Sequence, residues 1–171
     1  MSCNISLGRL EGCKDIVGGL GAVYFINFGD ATFTVDGSTD GISGVAETTP
    51  NAYKYDLRGN SNFEQSLTSS RENGTTFAEQ TLTVSLKKQD ASTHKEVKLL
   101  AYGRPHILVE DNNGSLWVMG QEYGAEMTAT ASTGAAMGDK NGYELSFVAM
   151  EKTFARAYEG SISDFSVTIG S

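Results

Sequence analysis

Hydrophobic and polar side chains alternate along most of this chain. The clearest example is residues 75–88, where "TLTVSL" (81–86) places hydroxyl side chains at every second position and aliphatic side chains between them. Successive side chains of a β-strand point to opposite faces, so this pattern predicts a strand with one apolar and one polar face. The same criterion, with Gly- and Asn-rich turns as boundaries, predicts further strands at 22–28, 31–37, 41–47, 52–57, 62–70, 106–111, 115–121, 124–133, 142–151 and 161–170.

One segment departs from this alternation. Residues 92–105 carry apolar side chains at helical spacing, and Gly103 with the following proline ends the pattern. Thr93 and Glu96 fit a capping box, in which a hydroxyl side chain caps the helix and an acid follows three residues later. The segment is short, so this helix must pack on a sheet to be stable.

Together these elements predict a single, mainly β domain over residues 1–171. We expect an antiparallel β-sandwich of about ten strands with one short flanking α-helix. Residues 1–20 precede the long strands and form a candidate N-terminal arm. The arm holds both cysteines, Cys3 and Cys13, which we expect to be free thiols in a reducing cytosol.

The charge balance narrows the choice of function. The chain has 13 Lys and Arg against 21 Asp and Glu, a formal net charge of −8. A dedicated nucleic-acid binder shows a basic footprint, so this balance argues against one. It does not argue against a surface that nucleic acid passes without binding. No apolar run approaches the roughly 18 residues of a membrane span, and the N-terminus lacks signal-peptide blocks, so we expect synthesis in a cytosol.

The residues that usually carry catalysis are few. His94 and His106 are the only histidines, and neither lies in a nucleophile or metal motif. Two cysteines without a nearby histidine are too few ligands for structural zinc. "DNNG" (111–114) and "GDKNG" (138–142) lack the remaining oxygen ligands of a calcium loop and favour hairpin turns. We therefore expect no catalytic residue, no metal site and no cofactor.

A second row of side chains lies opposite the apolar rows on four of the predicted strands. It consists of short hydroxyls and carboxylates, whereas an ordinary solvent face carries long, mixed Lys and Glu side chains. Patterning alone leaves two alternatives open, a solvent face and the wall of a water-filled channel. The residues are Glu64, Ser66, Thr68, Thr81, Thr83, Ser85, Glu126, Thr128, Thr130, Glu144 and Ser146.

Three segments, taken in order, resemble a known family. They are "GCKDIVGGLGAVYFINF" (12–28), "ENGTTFAEQTLTVSLKK" (72–88) and "TASTGAAMGDKNGYELSFVAME" (130–151). The set resembles the tail tube and related ring-forming structural proteins of tailed bacteriophages. The resemblance implies a β-sandwich that closes, as a homohexamer, into a ring with one continuous intersubunit β-barrel. Stacked rings would form the tube through which the double-stranded genome leaves the particle.

The resemblance also implies partners and places. The chain would associate with itself and with other tail proteins (tape measure, tail terminator, baseplate or neck), and double-stranded DNA would pass without specific binding. It would assemble in the host cytoplasm and reside in the virion tail, away from membranes. The polar row would face the lumen. The small-residue loop at 134–142 and the "LRGNSN" loop would contact a neighbouring subunit or ring through Gly134, Ala135, Ala136, Met137, Gly138, Asp139, Arg58 and Asn60.

Two alternatives stay open at this stage. The N-terminal arm is not an obvious part of a minimal tube fold, so a neck or connector ring protein of the same fold is the first alternative. The second is a monomeric carbohydrate-binding β-sandwich module, which would display aromatic side chains on one face. Trp117 and Tyr123 are the aromatic residues that such a module would use.

Overall fold

The computed structural model describes residues 3–170 of the chain. Met1, Ser2 and Ser171, the ends of the predicted domain and arm, lie outside the described residues. The fold is mainly β with one α-helix, as predicted. Its elements are β1 Leu20–Ile26, β2 Phe33–Val35, β3 Ile42–Val45, β4 Asn51–Asp56, β5 Asn62–Ser70, β6 Thr75–Lys87, α1 Ala91–Tyr102, β7 His106–Asp111, β8 Leu116–Met119, β9 Glu126–Ser132, β10 Gly142–Glu151, β11 Arg156–Ala157 and β12 Ser166–Ile169, with a 3-10 turn at Ile162–Asp164.

The strands form two main sheets and a small hairpin. A six-stranded sheet has the order β11-β8-β7-β1-β4-β12, a four-stranded sheet has the order β5-β6-β10-β9, and β2 pairs with β3. Within residues 3–170 every pair of strands is antiparallel except β12 with β4, which is parallel, and an isolated parallel bridge joins Ile42 to Tyr158. This parallel pair and the two-residue strand β11 are departures from the predicted pattern. The strand β11 is too short to leave an alternation signal, and alternation within β4 and β12 carries no information on the direction in which they pair.

A shared hydrophobic core holds the two main sheets together. Val23 and Phe25 of β1 and Ile107 of β7 face Leu82 of β6 and Phe147 of β10, and all are buried. The rings of Phe25 and Phe147 have centroids 5.1 Å apart across this core. The antiparallel prediction is confirmed at this level. Within residues 3–170 neither sheet closes into a barrel.

The six-stranded sheet is also buried on its other face. Tyr24, Ile26 and Leu108 pack there in a second cluster with the β2–β3 hairpin and Phe165. A strand buried on both faces reads as a continuous apolar run, which explains why "AVYFI" and "ILV" lack alternation. The four-stranded sheet keeps the alternating pattern because only one of its faces is covered.

The helix begins earlier than the sequence indicates. Asp90, not Thr93, is the N-cap: its Oδ1 accepts hydrogen bonds from the Thr93 N–H at 2.7 Å and from Ser92 Oγ at 2.8 Å. The Thr93 N–H bond is the main reason that the pKa of Asp90 lies below its usual value. The predicted Thr93–Glu96 capping box is therefore wrong, because an aspartate is available one turn earlier and caps better. Gly103 ends the helix as predicted.

The helix is attached to the sandwich at its N-terminal turn. The hydroxyl of Tyr143 lies 2.5 Å from His94 Nδ1 and donates to the Asp90 carbonyl at 3.3 Å. Val97 and Leu100 contact the edge of the shared core, yet no helix residue is fully buried. None of the helical segments within residues 3–170 has the length and apolar character needed to cross a membrane.

Candidate functional site

The predicted polar row occupies one face of the four-stranded sheet. The register places Glu64, Thr81, Val148 and Glu126 in one row across the strands, and the next row contains Thr83, Ser146 and Thr128. In a third row Ser85 and Thr130 flank Glu144, and Ser66 and Thr68 extend the face along β5. We call this surface, which is turned away from the shared core, the polar face.

The polar face also contains residues that the sequence reasoning did not assign to it, four of which change its character. Glu79 and Phe77 pair with Ser66 and Thr68, and Val148 and Met150 continue the row of Ser146 along β10. Phe77 and Met150 are exposed. The period-two rule would have found all of them, because each lies two residues from an assigned position or continues that series. The polar face therefore has an apolar end that was missed.

Carboxylates dominate the charge of the polar face. Glu64, Glu79 and Glu126 are exposed and make no ion pair within residues 3–170. Glu144 is different, because Lys140 reaches back from the preceding loop to form an ion pair with it. The Lys140 ammonium also donates to Ser85 Oγ at 2.5 Å. The face is thus acidic along most of its length and neutralised at one end.

Both edge strands of this sheet are unprotected. β5 and β9 have no pairing partner on their outer side within residues 3–170. Their sequences, NFEQSLTSS and EMTATAS, contain no Pro, Lys or Arg, and their registers run without a bulge. The helix α1 lies next to β9, yet Ala129 and Ala131 remain exposed. Proteins blunt free edges with Lys, Pro or bulges, or cover them with a helix. The helix α1 covers β9 only in part, since residues 128–132 stay exposed, so both edges remain open to pairing with another chain.

The loop between β9 and β10 is shaped by its own hydrogen bonds. Asp139 Oδ2 accepts from the N–H groups of Ala135 and Ala136 at 3.0 and 2.9 Å, which lowers the pKa of Asp139. Gly134 adopts φ +73°, and a Cβ there would meet Asp139. Gly138 and Met137 project into solvent at the loop tip. The loop therefore presents a fixed turn of small residues and one exposed methionine.

The second predicted contact loop lies between β4 and β5. Arg58 and Asn60 are exposed. The loop is attached at both ends, because the Leu57 N–H donates to the Gly21 carbonyl at 3.1 Å and Ser61 Oγ accepts from the Ser85 N–H at 3.2 Å. The loop thus starts from the six-stranded sheet and ends against β6 of the four-stranded sheet.

The histidines lie in packing environments. His106 is buried, its Nδ1 donates to the Gly120 carbonyl at 2.7 Å, and its ring stacks on Phe28 with centroids 5.0 Å apart. Burial lowers the pKa of His106, which favours the neutral form. Gln80 continues the network, since its Oε1 accepts from the Gly120 N–H at 3.1 Å. This chain of hydrogen bonds links β6 to β7 and satisfies polar groups inside the fold.

Glu151 is the other buried ionisable group at this end of the sandwich. Its Oε1 accepts from the N–H groups of Tyr123 and Glu122 at 3.0 and 3.2 Å. Burial still raises the pKa of Glu151. Across residues 3–170, no group of three or more His, Cys, Asp or Glu side chains is placed to hold a metal ion.

Comparison with protein-family models, with curated proteins and with solved structures gave no match. The properties of the polar face and its two edges therefore carry the functional argument.

Proposed function

We propose that the chain is a virion structural protein, the subunit of a phage tail tube built from stacked hexameric rings. The observation that carries this proposal is the pair of bare edges on the four-stranded sheet. β5 and β9 differ in sequence and lie on opposite sides of the sheet, so β9 of one copy can pair with β5 of the next. Such a contact is heterologous, and heterologous contacts close into rings when the rotation permits.

Ring closure would turn the four-stranded sheets into one wall. Six copies of a four-stranded sheet give a barrel of about 24 strands. Barrels of 16 to 18 strands already enclose an aqueous channel, so a barrel of this size holds a wider one. With the shared core on one side of the sheet, the polar face is the surface left to line the lumen.

The chemistry of the polar face suits the passage of DNA. Glu64, Glu79 and Glu126 carry unpaired negative charge, and carboxylates repel phosphates instead of binding them. Around them lie short hydroxyls, which offer only weak, exchangeable hydrogen bonds, together with the apolar side chains of Val148, Met150 and Phe77. The function would be assembly and conduction, without catalysis, in the tail of the particle.

Negative-stain electron microscopy with mass measurement in solution tests the assembly. We expect rings or stacked tubes with a central hole, either spontaneously or after addition of a tail-tip complex. A chain that stays monomeric with the rest of the tail present would contradict the proposal. A connector ring of the same fold would use the same edges, and it would give single rings that do not extend.

Two neighbouring proline variants in β9 test the edge directly. In an antiparallel strand, consecutive backbone N–H groups point to opposite sides of the strand. One of the two variants Thr128→Pro and Ala129→Pro therefore removes a hydrogen bond to β10. The other removes a hydrogen-bond donor from the free edge of β9. We expect the free-edge variant to melt like the wild type and to form no rings. Thr128→Ala is the matched control and should assemble normally. Normal rings from both proline variants would exclude β9 pairing.

Reversing charge on the polar face tests its place in the lumen. Glu79→Lys, on the interior strand β6, should leave assembly intact and make the tubes retain double-stranded DNA in a salt-dependent way. DNA held inside the lumen should resist nuclease, whereas DNA bound outside should be digested. Glu79→Gln controls for loss of charge alone and should retain no DNA.

The carbohydrate-binding alternative gains little support from its aromatic residues. Trp117 is partly buried against the shared core, and Tyr123 is exposed on the turn after β8. The two residues thus do not form one exposed aromatic face, which a glycan platform requires.

A further inference from the structure

The N-terminal arm carries a series of exposed large apolar side chains. Residues 3–19 form neither helix nor strand and precede β1. Ile5, Leu7, Leu10 and Ile16 are 78–97% exposed. Exposed single apolar residues are ordinary, but a series along one extended segment marks an interaction site. The arm needs an apolar surface to cover it.

The base of the arm is attached to the body at a defined place. Asn113 accepts from the Val17 N–H at 3.0 Å and donates its side-chain N–H to the Val17 carbonyl at 2.8 Å. Asn112 donates to the Gly18 carbonyl at 2.8 Å. These asparagines form the β7–β8 turn, so the arm leaves the body at the N-terminal end of β1.

A groove of about 1150 Å³ opens elsewhere on the body, between α1, the end of β1, β4 and β12. Four large apolar residues that line it are exposed in the single chain: Phe28 at 39%, Tyr53 at 39%, Leu99 at 52% and Ile169 at 67%. The groove is larger and more open than the usual small-molecule site of 300 to 1,000 Å³. It suits an extended segment of protein.

The arm and the apolar part of the groove lie at opposite ends of β1. Leu20, at the start of β1, pairs with Asp111 beside the arm's attachment. Phe25, near the end of β1, pairs with Tyr53 in the groove. The arm leaves one end of the molecule, and the groove that could bind an arm lies at the other end. Such an arrangement permits a head-to-tail contact between copies, and a head-to-tail contact that does not close into a ring repeats along a filament.

We infer that the groove receives the N-terminal arm of a second copy of this chain. Ile5, Leu7 and Leu10 would cover the apolar residues of the groove, and the 14 residues 3–16 reach roughly 46 Å when extended. Charge adds little to this contact, because the arm balances Arg9 and Lys14 against Glu11 and Asp15, so apolar burial would provide the attraction. This inference rests on the proposed self-assembly and assigns to the arm the contact between successive rings.

Disulfide trapping tests the contact directly. One preparation keeps the native cysteines of the arm, and the other, carrying a mass tag, has Cys3→Ser, Cys13→Ser and Thr168→Cys in the groove. Thr168 is exposed, lines the groove and lies next to Ile169. Mild oxidation of the mixture should give a tagged–untagged heterodimer. The matched control places the cysteine at Ser38, in the exposed β2–β3 turn. Equal cross-linking at both positions would overturn the inference.

A single chain with native arm cysteines and Thr168→Cys separates the two ways in which an arm can dock. A disulfide within one chain, without heterodimers in the mixture, would show that the arm folds onto its own body and would overturn the inference. Leu7→Asp should lower the heterodimer yield about tenfold or more, because it places a charge among apolar side chains. Glu11→Gln should change the yield far less.

Removal of residues 1–16 distinguishes failure of this inference from failure of the proposed function. We expect the truncated chain to keep the thermal melting profile of the body and to form single rings that do not stack. Wild-type chains that form no rings at all would defeat both proposals. Tubes of normal length from the truncated chain would overturn the arm contact and leave the tube function intact.

Discussion

The two main sheets of this protein differ in how completely the chain covers them. The six-stranded sheet is buried on both faces, and its edge strands β11 and β12 are two and four residues long. The four-stranded sheet is buried on one face and has edge strands of nine and seven residues. The central strands of one sheet are covered on both faces within a single copy, whereas the other sheet has a whole face and two edges exposed.

This difference suggests a division of roles: the six-stranded sheet contributes most to folding stability, and the four-stranded sheet provides the surface for the proposed association. Apolar side chains that are buried on both sides of a strand contribute most to folding, because their removal leaves cavities that the packing cannot fill. Exposed Ser and Thr side chains contribute little to folding stability, so substitutions at these positions can change the surface without unfolding the chain. Substitutions in the two sheets should therefore separate folding from assembly.

The largest effect should come from the six-stranded sheet. Leu108 is fully buried in β7, and Leu108→Ala should lower the free energy of unfolding by about 2–5 kcal/mol. Urea denaturation of the monomer measures this. Thr128→Ala on the exposed polar face is the control and should stay within about 0.5 kcal/mol of the wild type. Similar decreases in the free energy of unfolding for both variants would show that the two sheets do not differ in their contribution to stability.

The next largest effect on stability should come from the close backbone approach of β10 to β6 at Gly142. A Cβ on Gly142 would lie 2.0 Å from the carbonyl oxygen of Leu86, which is backbone and cannot move aside easily. Gly142→Ala should therefore cost about 1–3 kcal/mol, the usual range for overpacking. Gly138→Ala is the matched control, since nothing lies within 4 Å of a Cβ there. A thermal melting scan of the two variants gives the comparison.

A smaller effect, dependent on pH, comes from His106. Burial and Arg104 lower its pKa, while the Gly120 carbonyl and Asp30 act in the opposite direction. The unfolded chain therefore binds a proton before the folded chain does. This contribution to stability is complete above about pH 6.5 and is lost as the pH falls toward and through the folded pKa, by about 1.4 kcal/mol per unit of depression.

Urea titrations between pH 7.5 and 5 measure this loss. His106→Asn keeps a donor toward Gly120 and removes the titration, so the variant should show a flatter pH dependence than the wild type. An equal slope in His106→Asn and the wild type would show that other groups cause the acid sensitivity.

The smallest effect should come from the ion pair on the polar face. Lys140 and Glu144 are partly exposed, so Lys140→Ala should lower the free energy of unfolding by less than about 1 kcal/mol. In the proposed tube, the same variant would uncover the Glu144 charge and increase the repulsion of DNA phosphates. Lys95→Ala on exposed α1 controls for the loss of one positive charge. A destabilisation of several kcal/mol would show that the loop, not the core, orders the end of β10.

Much of the fold could be predicted from the sequence because a sheet with one buried and one exposed face requires apolar and polar residues to alternate along its strands. The β6 and β10 predictions lie within a residue or two of the observed strands, and their polar positions share a face. The strand order could not be predicted, since pairing of β10 with both β6 and β9 depends on contacts distant in sequence. The bare edges, which carry the functional proposal, follow only from that order.

The errors also have physical causes. Thr93 has the side chain of a cap, and the choice of Asp90 depends on where the chain leaves β6 and on Tyr143 beneath the first turn. The neutralisation of Glu144 could not be read from the pattern, because Lys140 belongs to a loop that must first fold back over Ser85. The part that Asp139 plays in the 134–142 loop could not be read from the pattern either, because its two hydrogen bonds form only once the loop has folded.

The number of strands in the smaller sheet has a consequence of its own. Neighbouring strands in the order β5-β6-β10-β9 all run in opposite directions, and four is an even number. The first and last strands therefore point in opposite directions, so any seam between side-by-side copies continues the antiparallel alternation, the slightly more stable pairing. An odd count would set strands of like direction against each other at every seam. With an even number of strands, each copy could contribute one repeat of a continuous antiparallel sheet, and four strands at the usual spacing make that repeat about 19 Å wide.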